Sequence, residues 1–464
     1  MRLVTTKTTG QLNWRSVMAG FGPQILASAS YMLALLIPFS NFWPLTAPLI
    51  ASVFVPYVTP GLFLPDIAVA LAIISVIANR RRLDPGPLEL IGALAGLCLL
   101  AVLTAPWALS TPLALYTAAR WLIAFAVYLC FAQRLVPIER IVWFFAAGLC
   151  LHTIVGLLQV SANGPLGLPG EIAIPNSSDL AWTFRASGFS FHPNVLGGYL
   201  VVGLLLIIPQ LNRRLILAGW WLMWLGLLAT FSRSAWLAIA LTAPLVILWQ
   251  IRRKPEMRRP MLVALLGLFA VLVVASFVWR EQMTVRLQPI LGQAQQVLET
   301  ITPAPEGPPT TDPAGGDTKL DRALASSDYS LSERFVQFEI AFLVIKESPL
   351  QGIGAGNFPI FMRQLTLAIP PNFVHNVPLL LAAEIGILGA GLWLALCLMF
   401  AGWLIRRWRA TDGWAIAAVC AGLALAIIAL FDFYPWGLNT GRLLTVMVLG
   451  FIARTASIKK DSTK

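Results

Sequence analysis

Four polar residues stand out by type and by position: Arg185 in FRASGFSFHPN, Arg233 in FSRSAW, Arg334 in SERF and His375 in VHNVP. Each lies at or just before the start of an expected helix. An arginine in a first helical turn is mildly unfavourable, by about 0.3–1 kcal/mol, because the free N–H groups and the dipole already make that end positive. An anion held between guanidinium and helix end turns this conflict into a binding site. Arg233 is the best placed, between Ser232 and Ser234 at the head of an otherwise apolar run; it either binds such an anion or snorkels to headgroup phosphates. His375 precedes Asn376, a residue type suited to capping, and Pro378, which is favoured in a first turn. A positive helix end disfavours imidazolium and leaves a neutral ring able to take a proton at physiological pH. The alternative is a histidine that is simply hydrogen-bonded at an interface. Glu384, inside the next apolar run, must face protein or water, and it either pairs with a basic residue or orients the site.

Other chemistry-bearing residues read more plainly. His152, in an apolar run, and His192, in a loop, are expected to make packing hydrogen bonds. GIGAGNF at 352–358 has no preceding strand and no following Lys-Ser or Lys-Thr, so it reads as a tight turn rather than a phosphate loop. Asp66, Arg120 and Asp432 lie near the ends of apolar runs and are expected to pair within the membrane. The five cysteines all fall in apolar runs without metal-ligand spacing, which implies neither a disulfide framework nor a metal site.

The elements that must position these residues follow from composition. With 58% hydrophobic and 12% charged residues over 464 positions, the chain is too apolar for a water-soluble globule, so an all-α polytopic membrane protein is expected. The net charge of +12 is carried by short basic clusters between apolar runs, which is how topology determinants look, and no nucleic acid partner is implied. Twelve spans are expected, near residues 20–39, 62–79, 88–106, 113–132, 138–160, 194–210, 214–230, 233–250, 260–279, 378–404, 413–432 and 438–454. Residues 42–60 carry four prolines and are read as a re-entrant or surface segment. With twelve spans, the clusters at 80–82, 134–140, 213–214, 252–259 and 406–409 fall on one side together with both termini, and that side is cytoplasmic. The N-terminal stretch shows no small-residue cleavage site close behind a short apolar core, so its first run is expected to be a retained span.

Three regions result: about nine spans in 1–279, an extracytoplasmic loop over 280–377, and three spans with a cytoplasmic tail in 378–464. The loop holds seven Lys or Arg against ten Asp or Glu, as expected outside. Its middle, TPAPEGPPTTDPAGGDT, has too few apolar residues to build a core and reads as a flexible insertion. SERFVQFEIAFLVIKESP, with Ser332 as cap, is expected to form a helix on the outer membrane surface.

The segments RASGFSFHPNVLGGYL (185–200), TFSRSAWLA (230–238), SERFVQFEIAFLVIKESPLQGIGAGNF (332–358) and HNVPLLLAAEIGILG (375–389) resemble the O-antigen ligase and polymerase superfamily, whose members transfer glycans in the bacterial envelope. The resemblance covers the C-terminal two-thirds of the chain. It implies a polyprenyl-pyrophosphate-linked glycan as donor, an envelope glycan or lipid as acceptor, and a site facing the periplasm from the cytoplasmic membrane. It further implies that Arg233 and Arg334 contact the donor pyrophosphate, with Arg185 a recurrent arginine of the same site, and that His375 is the general base. Ser232, Asn376 and Glu384 are supporting candidates; no cofactor and no metal is implied. Ligase and polymerase use the same residues, so both readings stand. A small-anion transporter is the alternative from another class, but transporters place coupling residues near the midplane rather than at the outer helix ends.

Overall fold

The computed structural model of the protein describes residues 14–47, 58–79, 83–134, 136–171, 184–280, 329–365, 371–408 and 412–456. Over these residues the chain is almost wholly helical. The first group of helices is α1 (Trp14–Leu36), α2 (Asp66–Asn79), α3 (Leu88–Leu103), α4 (Thr111–Ala132), α5 (Ile138–Ala162), α6 (Pro193–Ile207), α7 (Arg214–Ala229), α8 (Arg233–Arg253) and α9 (Arg258–Val278). The second is α10 (Tyr329–Glu347), α11 (Phe358–Leu365), α12 (Val377–Ile385), α13 (Ile387–Arg407), α14 (Gly413–Ala429), the single turn α15 (Tyr434–Gly437) and α16 (Asn439–Ala456). A helix lies in each of the twelve expected stretches. Among the described residues, seven helices are long and apolar enough to cross a membrane, and four apolar ones are shorter. The insertion near 300–318 lies outside the described residues.

The bundle is organised around α6 and α14. Pro193–Gln210 is 89% buried whereas Pro255–Val278 is 17% buried, so the first is central and the second is a peripheral helix presenting Leu266, Phe269 and Phe277 outward. α14 reads GWAIAAVCAGLALAIIA, and its many alanines let α6, α8, α13 and α16 approach closely on several sides. α4 packs against α16 and α2, and α5 against α1, α6 and α7.

Three departures from the expected elements have local causes. The proline-bearing segment at 42–60 is bracketed by an antiparallel pair, β1 (Phe42–Pro44) with β2 (Gly61–Phe63), in which Phe42 faces Phe63 and Pro44 faces Gly61. Its two ends therefore meet; residues 48–57 lie outside the described residues. The expected span 378–404 is two helices, broken at Gly386 (φ +81°), where an added Cβ would lie 2.0 Å from the Leu350 carbonyl oxygen. Only glycine admits that approach. Finally, Ser332 does not start its helix: α10 begins at Tyr329, because nothing in Tyr329–Leu331 is a helix breaker.

Candidate active site

His375 sits two residues before α12, whose start is made by Asn376. The Asn376 Oδ1 accepts from the Leu379 N–H at 3.0 Å, and its Nδ2 donates to the Leu430 carbonyl at 3.0 Å. This cap holds His375 against the turn after α14, where the imidazole meets the Phe433 ring edge to face at 5.1 Å. On the other side stands α10. The Gln337 Oε1 lies 2.7 Å from His375 Nδ1 and 3.3 Å from the His375 backbone nitrogen, while the Gln337 Nε2 donates to Glu333 Oε1 at 3.0 Å. Glu333 also bonds the Asn372 side chain. Burial, then the Arg334 charge and His192, holds the His375 pKa well below the ordinary imidazole value.

Arg334 and His375 line one half-open cavity of about 190 Å³, whose other walls are Phe335, Phe338, Leu430 and Phe431. A cationic side chain, a neutral imidazole and four apolar side chains thus share one space. The Arg334 charge also acts on Asp432, a buried carboxylate at the back of the same turn. Asp432 accepts from Asn194 Nδ2 at 3.1 Å, and Asn194 Oδ1 accepts from Arg185 Nη2 at 2.7 Å. A hydrogen-bonded chain therefore runs from Asp432 through Asn194 to Arg185, with the Arg334 charge acting on its Asp432 end.

Arg185 is 9% exposed, and its Nε donates to the Thr230 carbonyl at 2.7 Å. Together with the Ala186 N–H to Ala229 bond, this clamps residues 185–186 onto the turn between α7 and α8. That turn is tight, with Phe231 at φ +48°, and it delivers Arg233 as the first residue of α8 after Ser232. Ser232 makes no side-chain cap; its hydroxyl lies 3.4 Å from that of Ser234. The loop carrying Arg185 is held from below by Gln159 of α5, whose Oε1 accepts from the Ser187 and Gly188 N–H groups.

The expected helix-end placement holds for Arg233 and His375 but not for the other two. Arg334 is the sixth residue of α10, beyond the free N–H groups, as a consequence of the early start at Tyr329. Arg185 lies eight residues before α6, because Gly188 (φ +58°) and Pro193 keep the intervening chain non-helical. Glu384 is remote from the cavity lining: fully buried, it accepts from the Phe358 N–H at 3.1 Å and so fastens the start of α11 to α12. The Gly354 N–H bonds the Glu384 carbonyl alongside it, and the glycines of GIGAGNF serve this turn, with φ of +62°, +93° and +80° at 352, 354 and 356. His152 accepts from the Phe189 N–H, and His192 caps α6 by accepting from Asn194. Asp66 and Arg120 form the expected ion pair, doubly bonded at 2.8 Å. Gln337, Asn194 and Asp432 were not anticipated at the site. For Gln337 a signal existed: it lies three residues after Arg334 and four after Glu333, on the same helical face. Among the described residues, no three His, Cys, Asp or Glu side chains converge as a metal site would need.

Residues 218–394 match a family model described as O-antigen ligase. Over that segment the chain is similar to the O-antigen ligase family. The matched segment runs from α7 into α13 and holds Arg233, Arg334, His375 and Glu384; Arg185, Asn194 and Asp432 lie outside it. The family supports ligase- or polymerase-like activity in envelope polysaccharide synthesis, and the apolar helices agree with a bacterial multi-pass membrane protein. No curated protein matches the sequence.

Proposed function

We propose that the protein moves a glycan from a polyprenyl-pyrophosphate carrier to a hydroxyl of an envelope acceptor on the outer side of the cytoplasmic membrane. The acceptor oxygen attacks the anomeric carbon of the first sugar, its proton passes to His375, and the bond from that carbon to the pyrophosphate breaks with its electron pair leaving on the phosphate oxygen. Arg334 and Arg233 offset the charge that grows on the leaving group, where electrostatic help is largest. Arg185 acts one step back, by ordering the turn that carries Arg233. A base of this kind contributes roughly a hundredfold to ten-thousandfold.

The observation that carries the reading is the shared cavity: a neutral histidine and an arginine face one space whose apolar walls suit the first isoprenoid units behind a pyrophosphate. The test is reconstitution with a purified polyprenyl-pyrophosphate oligosaccharide and a lipid acceptor. Glycosylated acceptor and free polyprenyl pyrophosphate are the expected products. Lengthened lipid-linked chains would assign polymerase chemistry to the same residues, and absence of pyrophosphate release would refute both. The twelve-span arrangement with cytoplasmic termini is part of this proposal. Single cysteines at positions 310 and 255 should react with an impermeant reagent added outside in the first case only, and labelling of 255 in intact cells would invert the orientation.

A further inference from the structure

The ring of His375 has two nitrogens, and the reaction needs one of them to carry a lone pair. Which one is set by the neighbour of the other. Nδ1 faces the Gln337 side-chain oxygen at 2.7 Å, and that oxygen also receives the His375 backbone N–H at 3.3 Å. An amide can be turned so that its NH₂ replaces its oxygen, so the orientation needs an argument. Here the turned form would set the amide NH₂ against the backbone N–H, two donors face to face, and a backbone N–H cannot change role. In the orientation present, the NH₂ instead donates to Glu333 Oε1 at 3.0 Å. Burial raises the Glu333 pKa above its usual range, yet the backbone contact fixes the amide whether or not that carboxyl holds a proton. With an acceptor locked opposite Nδ1, that nitrogen carries the hydrogen, and Nε2 carries the lone pair.

We propose that Gln337 is a positioning residue of the transfer reaction: it fixes the Nδ1–H tautomer of His375 so that Nε2 is the atom that receives the acceptor proton. This rests on the reading of His375 as general base. Gln337 is itself fully buried and touches the imidazole rather than any substrate. The charged and titratable groups around the ring are Glu333 and Arg334 on α10, His192 at the start of α6 and Asp432 in the turn after α14. Gln337, whose oxygen meets Nδ1 at hydrogen-bond distance, is the group placed to choose the tautomer.

Two variants separate this role from packing. Gln337→Met keeps length and volume but offers no acceptor. It is expected to lower kcat by about two- to tenfold, the factor one neutral hydrogen bond is worth, with the donor KM unchanged. The exchange Glu333→Gln/Gln337→Glu keeps both hydrogen bonds while placing a carboxylate against Nδ1–H. It should retain turnover at alkaline pH and move the acid limb of the kcat profile upward by about 1–3 pH units, because the adjacent negative charge favours imidazolium. Wild-type kcat in Gln337→Met, or an unmoved acid limb in the exchange variant, overturns the proposal; should Gln337→Met fail to fold, the exchange variant alone decides. His375→Gln, measured alongside, tells the two readings apart. If it is inactive while Gln337→Met is normal, only the positioning role falls. If it turns over at the wild-type rate, the base role is wrong and the positioning role falls with it.

Discussion

Arg185→Lys tests whether the arginine that is least exposed at the site grips substrate or scaffold. The guanidinium reaches two acceptors on different elements, the Thr230 carbonyl from Nε and Asn194 Oδ1 from Nη2, both at 2.7 Å, with 9% of the residue exposed. A lysine keeps the charge but has no planar fork to span them. One hydrogen bond to a charged group is lost, at about 1.5–3 kcal/mol. That corresponds to a shift of roughly tenfold to a hundredfold against the ordered turn at 1.4 kcal/mol per decade. If Arg233 depends on the turn for its position, kcat/KM for the donor falls by up to this factor, because the guanidinium that meets the pyrophosphate is no longer held in place. Thermal melting in one detergent and donor titration of reconstituted transfer measure the two effects. Lower melting together with weaker donor binding is expected. A variant that melts like the wild type yet has lost donor affinity would refute the reasoning and make Arg185 a direct phosphate ligand.

Arg233→Lys should lose at least about tenfold in kcat/KM for the donor despite retained charge, because a lysine cannot grip two phosphate oxygens at once; a wild-type rate would make Arg233 an interfacial anchor. The acid limb of the kcat profile should fall below the ordinary imidazole value of about 6.5, since burial and the Arg334 charge lower the His375 pKa and the base is lost only as pH drops through that lowered value. A limb above 7 would contradict it. Stability follows the same sign: the unfolded chain binds the proton more readily, so melting temperature should decline on acidification through that window. Arg120→Met leaves the Asp66 carboxylate in a nearly closed site and should cost about 3–5 kcal/mol in chemical unfolding, with much of it regained in the double variant Arg120→Met/Asp66→Leu. Glu384→Gln should keep both fold and rate, whereas Glu384→Leu strands the Phe358 N–H and should destabilise by about 1–3 kcal/mol. Inactivity of a well-folded Glu384→Gln would give that carboxylate a chemical role.

Much of the helical architecture is legible because a bilayer leaves few choices: an apolar run of span length must bond its own backbone. Arg233 and His375 were legible as helix-start residues because Ser232 and Asn376 mark those starts in the sequence. What escaped is long-range. The Arg185–Asn194–Asp432 chain joins residues up to 238 positions apart, and no local pattern records that α6 and the turn after α14 meet. The break at Gly386 escaped for a similar reason, since its cause is the carbonyl of Leu350 pressing from another segment. Glu384 looked like site chemistry because an acid in an apolar helix demands partners, and those it has, the Phe358 N–H and the charge of Arg442, lie away from the cavity lining.

The interrupted helix has a mechanical consequence. The chain leaving α10 is stitched into the gap at Gly386 by the Ile387 N–H to Pro349, Ile353 N–H to Ala383 and Gly354 N–H to Glu384 bonds. α10, bearing Glu333, Arg334 and Gln337, and α12, with His375 at its head, are therefore the two arms of a clasp riveted at the end away from the cavity. Swinging one arm drags the other, so these bonds favour a fixed spacing of guanidinium and imidazole. The wall formed by Leu430 and Phe431 belongs to a different piece, tied to the clasp by the Asn376 amide bond to the Leu430 carbonyl, by ring contacts on Phe433 and by the Arg334 charge on Asp432. A bulky lipid-linked sugar would be admitted by easing that wall aside, with the reacting groups left in register.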